Sequence, residues 1–146
     1  MVIDSSALIA ILFDEPEADA LTAALAANPI RCMSTFSLLE TSVVLFRRKG
    51  AEAVQELDDM LADLGVEIVP FDANQSRVAR TAYERFGKGV HRAGLNLGDC
   101  CSYALATVRE QPLLYKGEDF PRTDLPALAF TDVPASLLPT VSNKTD

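Results

Sequence analysis

MVIDSSALIAILF, residues 1–13, decides the fold. Val2 and Ile3 form a short apolar strand that ends on Asp4, and Ser5 and Ser6 follow as candidate caps for a helix reaching Phe13. A strand that delivers an acid at its carboxyl end and turns at once into a helix is the opening unit of a parallel α/β sheet. Sheets of that kind take their ligands in the crevice outside the carboxyl ends of the strands. The same stretch lacks a basic leader and is interrupted by Asp4, so a secretory signal is not expected and a cytoplasmic location is.

Working outward, the pattern repeats. Pro16 suits the first turn of a second helix that Asn28-Pro29 stops. Residues 30–33 read as a strand, and Ser34 caps a helix that reaches Lys49 before Gly50. Val54, Leu57, Leu61 and Leu64 share one helical face, and residues 66–69 form a third strand. Residues 72–86 are helical, residues 87–95 a glycine-bearing loop, and Asn96 caps a helix to about Glu110. Residues 113–115 make a fourth strand and residues 128–130 a possible fifth. Strands alternating with helices or helix pairs predict an α/β fold with a mostly parallel sheet of four to five strands. Residues 1–130 read as one domain and residues 131–146 as a flexible tail.

Composition narrows the function. The 146 residues are 49% hydrophobic and 23% charged, as in an ordinary globular domain, and no apolar run is long enough to span a membrane. Cys32, Cys100 and Cys101 fit no zinc spacing and read as buried thiols. The net charge of −8 argues against a partner bound by simple phosphate neutralisation, unless several acids hold cations and invert the local sign.

The placement of the acids therefore matters. Glu52, Glu56, Asp59 and Asp63 lie on the polar face of their helix, and Asp14, Glu15, Glu17 and Asp19 at a helix junction read as solvated too. Glu40 differs, because it shares a stripe with Phe36, Val43 and Val44 and so points toward apolar surroundings, where it needs a cation or a hydrogen-bonded partner. A salt bridge to Arg47 or a distant base would satisfy it equally. Asp99 stands in the first turn after Asn96, favoured there by the helix dipole, and Gly98 beside it opens access to the helix end. Glu118 and Asp119 follow the fourth strand. An acid at a strand end, one facing inward from a helix, one at a helix start and one after a later strand can converge in one crevice. Like charges that close require a cation, and oxygen-only ligation suits Mg²⁺ or Mn²⁺.

These residues resemble a known family. MVIDSSALIAIL, TFSLLETSVVL around Glu40, RFGKGVHRAGLNLGDCCSYALA around Asp99 and LLYKGEDFPRTDL near the end occur in the order of a PIN domain, of the VapC type found in toxin–antitoxin pairs. The resemblance spans roughly residues 1–130 and implies a three-layer α/β/α fold. It carries the metal-binding acids onto Asp4 and Asp99, with Glu40 the third. The fourth acid falls on Asp119, with Glu118 as neighbouring candidate, and Ser5, Ser6 and Asn96 fall on the supporting positions. What it implies is a Mg²⁺-dependent endoribonuclease toxin, with Mn²⁺ as substitute, hydrolysing RNA with metal-activated water. It further implies a homodimer and a cognate VapB-like antitoxin.

Arg85, Lys88, His91 and Arg92 form a local basic segment able to grip RNA phosphates, or simply a solvated helix end and loop. The apolar helices of residues 7–13 and 20–27 serve as contact surfaces or as core. Two rivals stand beside this reading. A phospho-aspartate enzyme would need a second Asp two residues after Asp4, where Ser6 stands, and a receiver domain needs an early acidic pair although Lys116 would supply its lysine. The other rival is a catalytically silent PIN-like binding module.

Overall fold

The structure, a computed structural model, describes residues 1–126. The expected fifth strand at residues 128–130 and the C-terminal tail lie outside the described residues. Four strands form one all-parallel sheet in the order β3-β2-β1-β4, with β1 Val2–Ile3, β2 Cys32–Ser34, β3 Glu67–Val69 and β4 Leu113–Leu114. The helices between them are α1 Ser5–Leu12, α2 Ala18–Ala27, α3 Thr35–Lys49, α4 Ala51–Asp63, α5 Ala73–Phe86 and α6 Leu97–Arg109.

Two-residue strands suffice because alternation sends neighbouring side chains to opposite faces, each covered by helices. Val2, Cys32 and Leu113 enter a core with Ala82 and Phe86 of α5 and Ala104 and Leu105 of α6. Ile3, Met33 and Leu114 enter a second core with Leu8 of α1, Leu21 of α2, Leu45 of α3 and Leu57 of α4. The result is the three-layer arrangement expected. Of the early helices, Ala7, Leu8, Ala10, Leu21 and Leu25 are buried core.

Strand and helix meet without a linker at two points. Asp4 itself, rather than Ser5 or Ser6, caps α1, its side chain accepting from the Ser6 amide. Ser34 ends β2 and caps α3 in the same way. Because every strand runs the same direction, Asp4, Thr35 and the residues after Leu114 emerge on one edge of the sheet. All three cysteines are free and buried. Among the described residues no helix is long and apolar enough to cross a membrane.

Candidate active site

Asp4 is 1% exposed, yet no Lys, Arg or His among the described residues pairs with it. Its Oδ2 accepts from the Ser6 hydroxyl at 2.6 Å and the Ser6 amide at 2.9 Å, and its Oδ1 accepts from the Ser102 hydroxyl at 2.6 Å. Ser102 has one proton, so the 3.0 Å contact between Ser37 and Ser102 must have Ser37 as donor. A chain of hydroxyls from α3 through α6 thus ends on Asp4 and fixes its orientation. Ser6 in turn accepts from the Lys116 amide at 3.0 Å, tying the exit of β4 to the same carboxylate.

Glu40 is half-buried on α3, and its Oε2 accepts from the Ser5 hydroxyl at 2.8 Å. The alternative, a salt bridge to Arg47 or another base, is not formed among the described residues. Its apolar surroundings also differ from expectation, because Phe36 and Val43 are 37% and 46% exposed. The stripe is a surface ridge, and Glu40 lies on its flank, facing α6. Gly98 explains that approach. A Cβ there would sit 2.6 Å from Glu40 Oε2, so this glycine makes room for a carboxylate rather than opening the helix end in general.

Asp99 and Asn96 form a reciprocal capping box, with Asp99 Oδ2 accepting from the Asn96 amide at 2.8 Å and Asn96 Oδ1 accepting from the Asp99 amide at 2.9 Å. Burial pushes the Asp99 carboxyl up to about 6, against the favourable Asn96 hydrogen bond, and the nearby charges of Asp4, Asp119 and Glu40 raise it further. Those three charges reach Asp99 from β1, the loop after β4, and α3. Glu118 and Asp119 are both exposed, and the Asp119 charge is among those that raise Asp99.

The donors present fit a hard divalent cation. They are carboxylates and hydroxyls, while the neighbouring Cys100 and Cys101 thiols are held protonated, pushed by burial to about 12 and about 11. Among the described residues no three acidic, His or Cys side chains are already closed around a single point. Mg²⁺ takes one or two carboxylates and keeps several waters, so a closed cage is not what such a cation requires.

The basic segment is only partly available. Arg85 is ion-paired to Asp124 at 2.8 Å and stacks its guanidinium over Phe86, while His91 Nδ1 accepts from the Ala93 amide and its ring meets Phe86 edge-on. Lys88 and Arg92 are exposed and form no ion pair among the described residues. Sequence reasoning missed Ser37 and Ser102. The signal was a hydroxyl three residues from each helical acid, before Glu40 and after Asp99, at positions facing the core.

Residues 1–125 match the family model for the PIN domain. The chain belongs to the PIN domain family. Within it the relatives are of the VapC type. A Mycolicibacterium smegmatis protein named Ribonuclease VapC is 56% identical over 128 residues, 88% of this chain and 99% of that one. Ribonuclease VapC30 of Mycobacterium tuberculosis is 53% identical over 129 residues, covering 88% and 98%. Among solved structures, the Mycobacterium tuberculosis VapC20 toxin that cleaves the sarcin–ricin loop superposes with a TM-score of 0.71 at 19% identity, over 85% of this chain and 95% of that one. A toxin–antitoxin complex from Klebsiella pneumoniae gives 0.68 at 18% identity, over 88% and 96%. These last two speak for the fold.

Proposed function

We propose that this PIN domain is a Mg²⁺-dependent endoribonuclease, the toxin of a type II toxin–antitoxin pair, working in the cytoplasm. One observation carries the chemistry: Glu40 lies against Gly98 beside Asp99 and accepts from Ser5 beside Asp4, and no basic side chain among the described residues pairs with these three acids. The names of the relatives supply the substrate class.

Asp4, Asp99 and Glu40 are the residues that would hold Mg²⁺, with Mn²⁺ as substitute. Once bound, the cation supplies Lewis-acid stabilisation of the attacked phosphoryl group and lowers the pKa of water. Ser6 and Ser102 keep Asp4 fixed, Ser5 orients Glu40, and Asn96 holds Asp99 through the capping box. Asp119 stands at the open side, where it can accept a proton from attacking water. Lys88 and Arg92 are the side chains most available to RNA phosphates flanking the cut. Attack by water leaves a 5′-phosphate and a 3′-hydroxyl.

Two surfaces support the partners. Phe36, Leu39, Val43 and Phe46 form an exposed apolar ridge along α3, which suits a second copy of the chain in a homodimer. Between α2 and α4 lies a groove of about 500 Å³ floored by Leu25 and Met60 and edged by Glu56, Asp59 and Asp63, which suits a basic amphipathic antitoxin segment.

The test is single-stranded RNA incubated with purified protein and Mg²⁺ or Mn²⁺, with and without chelator, beside Asp4→Asn. Metal-dependent cleavage lost in the variant supports the proposal. RNA left intact by the wild-type protein under every metal condition favours the silent binding module instead.

A further inference from the structure

Lys116 is the first residue past Tyr115 at the exit of β4, and it is gripped twice. Its amide donates to Ser6, and its ammonium pairs with Glu15 and, at 3.0 Å, with Glu17 on the α1–α2 turn. These two glutamates, expected to be solvated, are half-buried. Glu17 Oε2 is shut off from solvent and makes no hydrogen bond of good geometry, so the Lys116 charge is what compensates it.

The segment that follows is short, and its far end opens a 3-10 turn over Phe120–Arg122 in which the Asp119 carbonyl accepts from the Arg122 amide at 3.2 Å. Gly117 takes φ +113°, a conformation that side chains rarely adopt. Glu118 and Asp119 are exposed. Beyond them Phe120 is 2% exposed and packs its ring 5.1 Å from that of Tyr115. The acid-bearing loop is thus a short span pinned at both ends, by Lys116 on one side and Phe120 on the other.

We infer that Lys116 is a positioning residue, whose ion pairs with Glu15 and Glu17 tether the loop of residues 116–119 to the α1–α2 turn and so hold Asp119 beside Asp99. The inference rests on the reading of the crevice as the active centre. It excludes a role for Lys116 as an RNA-phosphate ligand, because the ammonium is committed to two carboxylates.

The test compares full-length wild type with Lys116→Met, Lys116→Arg and Glu15→Gln/Glu17→Gln, measuring kcat and KM on single-stranded RNA and amide hydrogen exchange of residues 116–119. A tether predicts that Lys116→Met lowers kcat about 10-fold with KM little changed, the scale set by small misplacements of a reacting group. The double glutamine variant reproduces that loss, Lys116→Arg restores most of it, and Asp119→Asn costs less on the Lys116→Met background than on wild type. A raised KM with full activity in the double glutamine variant overturns the inference in favour of RNA contact. A lowered melting temperature with unchanged kcat overturns it in favour of simple stabilisation. If Lys116→Met fails to fold, the double glutamine variant decides alone. If the wild type cleaves no RNA, the functional proposal falls, and faster amide hydrogen exchange of residues 116–119 in Lys116→Met and in the double glutamine variant still supports the tether, while exchange equal to wild type rejects it.

Discussion

Asp99 and Asp124 are the same side chain in opposite surroundings. Asp124 accepts from the Tyr103 hydroxyl at 2.6 Å and from Arg85 at 2.8 Å, and these two partners, Tyr103 foremost, hold its carboxyl below the usual range. Asp99 faces three other acids, and burial with their repulsion lifts it to about 6. The clasp around Asp124 is what an acid costs little to keep. The crevice around Asp99 is unfavourable for the protein alone, and that contrast supports the proposal that it receives a cation.

The largest expected difference comes from neutralising each in turn. Asp99→Asn loses more than about 100-fold in RNA cleavage, beyond the 10- to 100-fold typical of residues that only support metal ligands. It also stabilises the metal-free protein at pH 7 by about 1–2 kcal/mol, after discounting for partial solvent screening. The sign follows from linkage. The folded-state value of about 6 lies above the ordinary 3.8, so the contribution of this group to stability is complete below about 3.8 and is lost as pH rises through 6. Thermal melts from pH 4 to 8 without metal should show that slope in wild type and a flatter line in Asp99→Asn. Asp124→Asn should leave kcat unchanged and lower stability.

Ser102→Ala comes next. It removes the hydroxyl on Asp4 Oδ1 and strands Ser37, and a 10- to 100-fold fall in activity or metal affinity is expected, read by kinetics and calorimetry. Gly98→Ala sharpens the contrast differently. Its new Cβ collides with the far end of Glu40 rather than with backbone, so folding should survive while Glu40 is displaced. A roughly 10-fold loss of kcat with a melting temperature near wild type is the expected pair of readings.

The smallest effect belongs to a paired acid on the surface. Arg109→Met breaks the 2.6 Å bridge to Glu67 and should cost no more than about 1 kcal/mol in denaturant unfolding, with cleavage intact.

Much of this was legible in the chain. The strand-to-helix turn at Asp4, the Ser34 and Asn96 caps and the stop at Gly50 are local chemistry, and local chemistry is written in neighbouring residues. The proposal of Asp4, Glu40, Asp99 and Asp119 as the site rests mainly on the order of motifs, since Asp4, Glu40 and Asp99 each alone have a structural excuse. What stayed hidden is long-range pairing. Ser102 meets Asp4 across 98 residues of sequence, and Lys116 meets Glu15 across 101, distances at which spacing carries no information. The ridge on α3 misled for the same reason, because periodicity defines a face without saying what covers it.

The central claim is that the unpaired acids of the crevice are there to bind a divalent cation. Calorimetric titration of Mn²⁺ into the metal-free protein at neutral pH, beside Asp4→Asn, tests it most directly. Saturable binding by the wild type, and its loss in the variant, is the predicted result. Equal binding by both proteins, or none by a folded wild type, would contradict it.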